Sequence, residues 1–82
     1  MTPEEGQLMK AHGGYLQDLL EANKVIAHGP VAEPGGGGFG LSLFDVADEA
    51  ELERLTAQDP MILADVGARY ETYPMLNLRY RA

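Results

Sequence analysis

The sequence predicts an α+β fold in which two helices lie on one face of an antiparallel sheet. The first observation behind this is that two segments with apolar residues at helical spacing each follow a helix-capping residue. The second is that short apolar or alternating segments, bounded by glycine and proline, occupy the rest of the chain. The predicted element order is therefore helix, strand, strand, helix, helical turn, strand, strand.

The first helix is predicted to begin at Thr2. Thr2-Pro3-Glu4-Glu5 combines an N-cap, a proline at the first helical position and a glutamate three residues after the cap. The apolar stripe that follows has spacings of three and four, at Leu8, His12, Tyr15, Leu16, Leu19 and Asn23. Gly13 and Gly14 interrupt the helix at a cost of ~2 kcal/mol relative to two alanines. We therefore expect another element to pack closely beside His12.

Two strands are predicted after this helix. Residues 24–30 form a short apolar run that Gly29-Pro30 is expected to end, and residues 33–38 form a flexible connector. Residues 39–46 carry apolar side chains on both faces of a strand. Both faces are therefore expected to be covered, one by the helices and the other by the same face of a second subunit.

The second half of the chain starts with another capped helix. Asp48 is its predicted cap, and the helix is expected to stop near Gln58. Asp59-Pro60 then opens a helical turn that Gly67 is expected to end. Residues 68–73 and 76–80 are predicted strands, and the last one alternates apolar with polar residues.

Composition limits the classes of function. The 82 residues suffice for a single domain, residues 1–82, whose small core favours a homodimer or a larger homo-oligomer. The net charge of −7 without a basic cluster predicts no nucleic-acid partner. The absence of cysteine excludes thiolate catalysis and cysteine-ligated zinc. An acidic N-terminus and the lack of an apolar run of ~18 residues predict a cytoplasmic protein with no membrane segment.

Several segments, taken in order, resemble the YCII-related family. They are Met9 to His12 with Tyr15 and Leu16, Val25 to Pro30, a glycine-rich turn into Phe39-Gly40-Leu41, and Asp59-Pro60 with Met61 to Gly67. The resemblance covers about residues 4–74. It implies a ferredoxin-like fold, dimers whose sheets pack face to face as in dimeric α/β barrels, and a site formed by His12 and Asp59. A few relatives resemble lyases that eliminate chloride from chlorinated lactones.

The start of the chain departs from the family pattern. Family members usually begin with a β-strand before the first helix, whereas the helix cap here is already Thr2. That strand is central in a ferredoxin-like sheet, so without it unpaired edge groups cost on the order of 1–3 kcal/mol each. We expect residues 76–80, from this chain or from a partner, to fill the gap; a start codon assigned too far downstream is the other explanation.

His12 and Asp59 are the candidate catalytic residues. His12 is polar but lies on the apolar stripe, so it is predicted to face the sheet or the dimer interface. A carboxylate beside it would fix its tautomer and leave the second ring nitrogen to exchange a proton with a ligand. The alternatives are a structural histidine and an aspartate that only caps the turn at Pro60. One carboxylate can serve both roles, because it has about four acceptor sites.

The candidate ligand-binding residues are Tyr15, His28, Gly29 and Pro30. Tyr15 follows His12 by one helical turn and is placed to line a pocket, with core packing as its alternative role. His28 precedes Gly29-Pro30 and either points into the same cleft or lies at the surface of a strand end. The spacing of the histidines and Asp59 would not preorganise a metal site, so no metal and no other cofactor is predicted.

Two functions remain open at this point. The first is a cofactor-independent enzyme that performs acid–base chemistry, elimination or isomerisation, on a small organic molecule such as a lactone. In it, His12 is the base or acid and Asp59 orients it. The second is a non-catalytic module that binds a small ligand or serves as a dimeric assembly unit.

Overall fold

The computed structural model describes residues 2–81. Its elements are α1 (Pro3–Glu21), β1 (Val25–Ala32), β2 (Gly38–Phe44), α2 (Glu49–Ala57) and α3 (Pro60–Leu63). β1 and β2 pair as an antiparallel hairpin, which is the whole of the sheet within this part of the chain. The predicted α+β class is therefore confirmed. None of the helices in residues 2–81 has the length and apolar character that crossing a membrane requires.

Local capping chemistry sets where the two longer helices begin. The Thr2 hydroxyl accepts the N–H of Glu5 at 3.1 Å, and the Asp48 carboxylate accepts the N–H of Glu51 at 2.8 Å. Each bond satisfies one of the N–H groups that a helix leaves without an internal partner. Both helices therefore start where the sequence predicts. α3 is shorter than predicted, since it ends at Leu63 and not near Gly67.

The prediction of two C-terminal strands, at residues 68–73 and 76–80, is wrong. Within the described residues, 64–81 contain no helix beyond the α3 cap and no strand. Leu76 is 98% exposed and Tyr80 is 71% exposed, so their alternation buries nothing in the single chain. A strand needs a paired edge and a covered face to offset the entropy of ordering its backbone, and alternation alone supplies neither.

One local prediction about proline is wrong, and one about glycine is met only in part. β1 continues through Gly29 and Pro30 to Ala32. One edge of β1 is unpaired among residues 2–81, so a proline there need not remove a ladder hydrogen bond. Gly13 and Gly14 face open space, because a Cβ built on either would meet no atom within 4 Å. No element packs closely on the two glycines themselves, whereas α3 does pack beside His12 as expected.

The helices cover one face of the hairpin and leave the other open. α1 packs against β1 and α3, and α2 packs against α3. Gly40 of β2 lies on the α1 side, so alternation turns Phe39 and Leu41 to the outer side, where each is 53% exposed. The cover predicted for this outer face is a second subunit, so its covering stays a prediction.

Glu51 joins α2 to the loop before it and to the start of β1. Its Oε1 accepts the N–H of Ala47 at 3.0 Å, and its Oε2 lies 3.1 Å from Lys24 Nζ and 3.7 Å from Arg54. The Ala47 hydrogen bond, followed by the Lys24 hydrogen bond, lowers the pKa of the Glu51 carboxyl. The charged form of Glu51 thus contributes to folding.

Replacing Glu51 with Gln is expected to reduce the free energy of unfolding at neutral pH, because the amide loses both ion pairs. A carboxyl whose pKa is lowered on folding stabilises above its ordinary value of 4.5 and loses that effect as the pH falls through the folded pKa. The difference between wild type and variant should therefore become smaller as the pH is lowered from 7 to about 3. Urea unfolding followed by circular dichroism measures it. An equal difference at both pH values would contradict the assignment.

Candidate functional site

Asp59 is a buried helix cap. It precedes Pro60 in an extended conformation, and its Oδ1 accepts the N–H of Met61 at 2.9 Å. The residue has no exposed surface. The capping role that the sequence offered as an alternative is therefore present, and it engages only one of the two carboxylate oxygens.

The second oxygen of Asp59 contacts His12. The distance between His12 Nδ1 and Asp59 Oδ2 is 2.6 Å, across 47 positions of sequence, because α1 and α3 pack together. A carboxylate only accepts hydrogen bonds, so Nδ1 carries the proton and donates it. In the neutral ring this leaves the lone pair on Nε2. The expected proximity of the two groups is thus present in the structure.

His12 is the member of the pair that reaches solvent. Its side chain is 20% exposed, whereas that of Asp59 is fully buried. A Cβ built on Gly40 would lie 3.8 Å from His12 Nε2. Glycine at this position therefore keeps the β2 side of the nitrogen free of side-chain atoms.

Tyr70 completes the cluster, although sequence reasoning missed it. Its hydroxyl donates to Asp59 Oδ2 at 2.6 Å, and its ring packs edge-on against Phe44 with centroids 6.4 Å apart at 79°. Burial, followed by the hydrogen bond to Asp59, raises the pKa of the Tyr70 hydroxyl, so it remains a protonated donor at neutral pH. No motif surrounds Tyr70, and its place in a predicted strand concealed it.

We call His12, Asp59 and Tyr70 the carboxylate cluster. Asp59 accepts three hydrogen bonds there, from Met61 on one oxygen and from His12 and Tyr70 on the other. Within residues 2–81, no buried side-chain nitrogen or oxygen lacks a partner. Both oxygens of Asp59 are therefore hydrogen-bonded within the protein. His12 Nε2 is the atom of the cluster that is left to interact with another molecule.

Tyr15 and His28 are not members of this cluster. The Tyr15 hydroxyl donates to the Leu55 carbonyl at 2.6 Å, which connects α1 to α2. Burial, with a smaller effect from the charge of Asp59, raises the pKa of Tyr15. His28 Nε2 lies 3.3 Å from the side-chain oxygen of Gln17 at an exposed position. In residues 2–81, no three histidine or acidic side chains are grouped as a metal site would require.

Gly29 and Pro30 line an open depression of about 280 Å³ on the sheet. Its other lining residues are Ala27, His28, Val31, Leu41 and Leu43. The leucines alternate with Gly40, so the depression opens mainly on the face turned away from His12. The structure therefore places Tyr15 near the catalytic pair without a hydrogen bond to it, and places the depression lined by Gly29 and Pro30 apart from that pair.

A family model decides the relationship of this chain to known proteins. Residues 2–76 match the model of the YCII-related domain. The chain belongs to the YCII-related family. The matched range contains all five elements and the three residues of the carboxylate cluster. The resemblance stated from the sequence is thus confirmed. No curated protein and no solved structure is detectably similar to this YCII-related domain.

Replacing Asp59 with Ala is expected to lower the free energy of unfolding by roughly 3 kcal/mol or more. The change removes a helix cap, worth about 1 kcal/mol, and leaves two donors without their acceptor, at about 1–3 kcal/mol each. Asp48→Ala is the matched control, because it removes only an exposed cap and should cost about 1 kcal/mol. Urea unfolding of both variants measures the difference; equal losses would show that Asp59 is only a cap.

Proposed function

We propose that this YCII-related domain is a cofactor-independent enzyme that transfers a proton on a small organic molecule. The proposed reaction is an elimination or an isomerisation, with a carbonyl compound such as a lactone as substrate. His12 is the base or acid, and Asp59 orients it. The observation that carries the proposal is the 2.6 Å contact between His12 Nδ1 and a carboxylate with no exposed surface.

The geometry suits His12 to proton transfer through Nε2. Nε2 takes a proton from a carbon next to the substrate carbonyl, and the ring becomes an imidazolium that the Asp59 carboxylate stabilises. The electron pair of the broken C–H bond then forms a carbon–carbon double bond. In an elimination, a leaving group departs with its own electron pair; in an isomerisation of an unsaturated carbonyl compound, the carbonyl π pair moves onto oxygen to give an enolate, and the imidazolium then returns the proton to another carbon of the conjugated system.

Asp59 acts through His12 in this scheme and does not touch the substrate. Its oxygens already accept three hydrogen bonds and it is shielded from solvent. A small neutral carbonyl compound also suits the electrostatics, because a chain with a net charge of −7 repels polyanions. These two observations favour a histidine-centred reaction on an uncharged or weakly charged ligand.

Acylation by diethyl pyrocarbonate tests the proposal without a known substrate, because the reagent reacts with an unprotonated imidazole nitrogen. The chain has two histidines, so His28 serves as an internal reference. We expect faster acylation at His12 than at His28, since Asp59 fixes the lone pair on Nε2. Peptide mass spectrometry after timed quenching gives both rates.

The matched variant for this experiment is Asp59→Asn, which keeps the shape of the side chain and removes its charge. It should slow acylation at His12 and leave the rate at His28 unchanged. Turnover of a halogenated lactone by wild type and its loss in His12→Asn would give the direct readout. If His12 reacts no faster than His28 in the wild-type protein, the acid–base proposal fails.

The outer face of the hairpin supports a second candidate function, assembly with another copy of the chain. Phe39 and Leu41 are each 53% exposed there. A hairpin of two strands is at best marginally stable on its own, so covering this face would contribute to folding. We propose that the same face of a second copy covers it, in the face-to-face arrangement of ferredoxin-like dimers.

Replacing Leu41 with Glu is expected to weaken such a dimer by at least about tenfold in its dissociation constant, because a charge would be buried at the interface. Leu63→Glu is the control, since Leu63 is 69% exposed on α3 and away from this face. Light scattering over a concentration series measures both variants. A wild-type protein that is monomeric at every concentration would exclude this candidate.

A further inference from the structure

Three separate parts of the chain converge on the Asp59 carboxylate. α1 contributes His12, α3 contributes the N–H of Met61, and the stretch 64–81 contributes Tyr70. Met61 bonds one oxygen, while His12 and Tyr70 share the other. Rotation of the carboxylate would therefore disturb all three bonds at once.

Tyr70 supplies the contact that His12 and Met61 cannot replace. Without its hydroxyl, a lone pair of Oδ2 would remain buried and unpaired beside the His12 bond. The carboxylate would then gain by turning or by admitting water. Either change alters the direction in which the imidazole is held, and with it the direction of Nε2.

The Tyr70 ring is itself fixed from another element. It packs edge-on against Phe44 of β2, the strand that also carries Gly40 beside His12 Nε2. Within the described residues, the stretch 64–81 forms two other side-chain hydrogen bonds, which join Arg69 and Tyr73 to Glu71. Tyr70 thus connects this stretch to the hairpin and to the carboxylate cluster together.

We propose that Tyr70 is a positioning residue of the site: its hydroxyl locks the Asp59 carboxylate in the orientation that receives His12, and so directs Nε2 toward the ligand. The inference rests on the proposed function, because it assigns a role within the same site. Tyr70 is not a catalytic residue here, since its single proton is already donated to Asp59 and the hydroxyl stays protonated at neutral pH.

The test is Tyr70→Phe, which keeps the ring and its packing on Phe44 and removes only the hydroxyl. NMR of protein labelled with ¹⁵N-histidine reports the His12 tautomer and the solvent exchange of its Nδ1 proton. We expect exchange at least about tenfold faster in Tyr70→Phe, because a hydrogen bond to a charged acceptor is lost. Exchange of the Leu16 amide, in the buried core, is the reference for global unfolding.

Two matched hydroxyl deletions separate positioning from general structural loss. Tyr73→Phe changes a tyrosine that is 79% exposed in the same stretch, and Tyr15→Phe removes a hydroxyl that binds the Leu55 carbonyl. Tyr73→Phe should leave Nδ1 exchange unchanged relative to the Leu16 amide, and Tyr15→Phe, which removes no hydrogen bond to Asp59, should raise it less than Tyr70→Phe does. Phe44→Leu, which removes the ring contact of Tyr70, should raise it and remains informative if Tyr70→Phe does not fold.

The outcomes for Tyr70 and for the proposed function are distinguishable. If His12 is acylated faster than His28 in wild type, yet Tyr70→Phe and Phe44→Leu leave Nδ1 exchange and the tautomer unchanged, the positioning role is overturned and the proposed function stands. If Nδ1 exchange rises as expected while wild-type His12 reacts no faster than His28, Tyr70 orients a histidine that is not reactive, and the proposed function fails.

Discussion

Burial of the Asp59 carboxylate is the constraint on which this arrangement depends. Moving a charge out of water is unfavourable by several kcal/mol unless donors replace the lost hydration. Here the donors come from α1, from the first turn of α3 and from the stretch after it. Satisfying one side chain thus brings together parts of the chain that share no secondary structure.

The same contacts serve stability and, in the proposed function, chemistry. A carboxylate that only capped α3 would need the Met61 N–H and nothing else, and it would tolerate exposure as Asp48 does. The additional contacts to His12 and Tyr70 hold an imidazole in one tautomer, with its Nε2 on the side of Gly40. A polar cluster at the centre of so small a protein is a poor way to gain stability, which favours a functional origin for it.

The apolar core is correspondingly limited. Leu16 and Val25 are its buried hydrophobic residues within 2–81, while Phe39 and Leu41 remain exposed on the outer sheet face. Apolar side chains that alternate along a strand indicate a face to be covered, and the elements of residues 2–81 leave this face open. Assembly and the site are therefore separate questions, because they concern opposite faces of the hairpin.

The sequence by itself determined the features that depend on neighbouring residues. Thr2 and Asp48 start their helices through bonds to N–H groups three residues away, and His12 falls on the apolar stripe by helical periodicity. Only the tertiary structure decided that Asp59 meets His12 across 47 positions and that Tyr70 joins them. Residues 68–73 and 76–80 do not form the predicted strands for the same reason. A strand requires a partner edge, and the local sequence pattern cannot specify one.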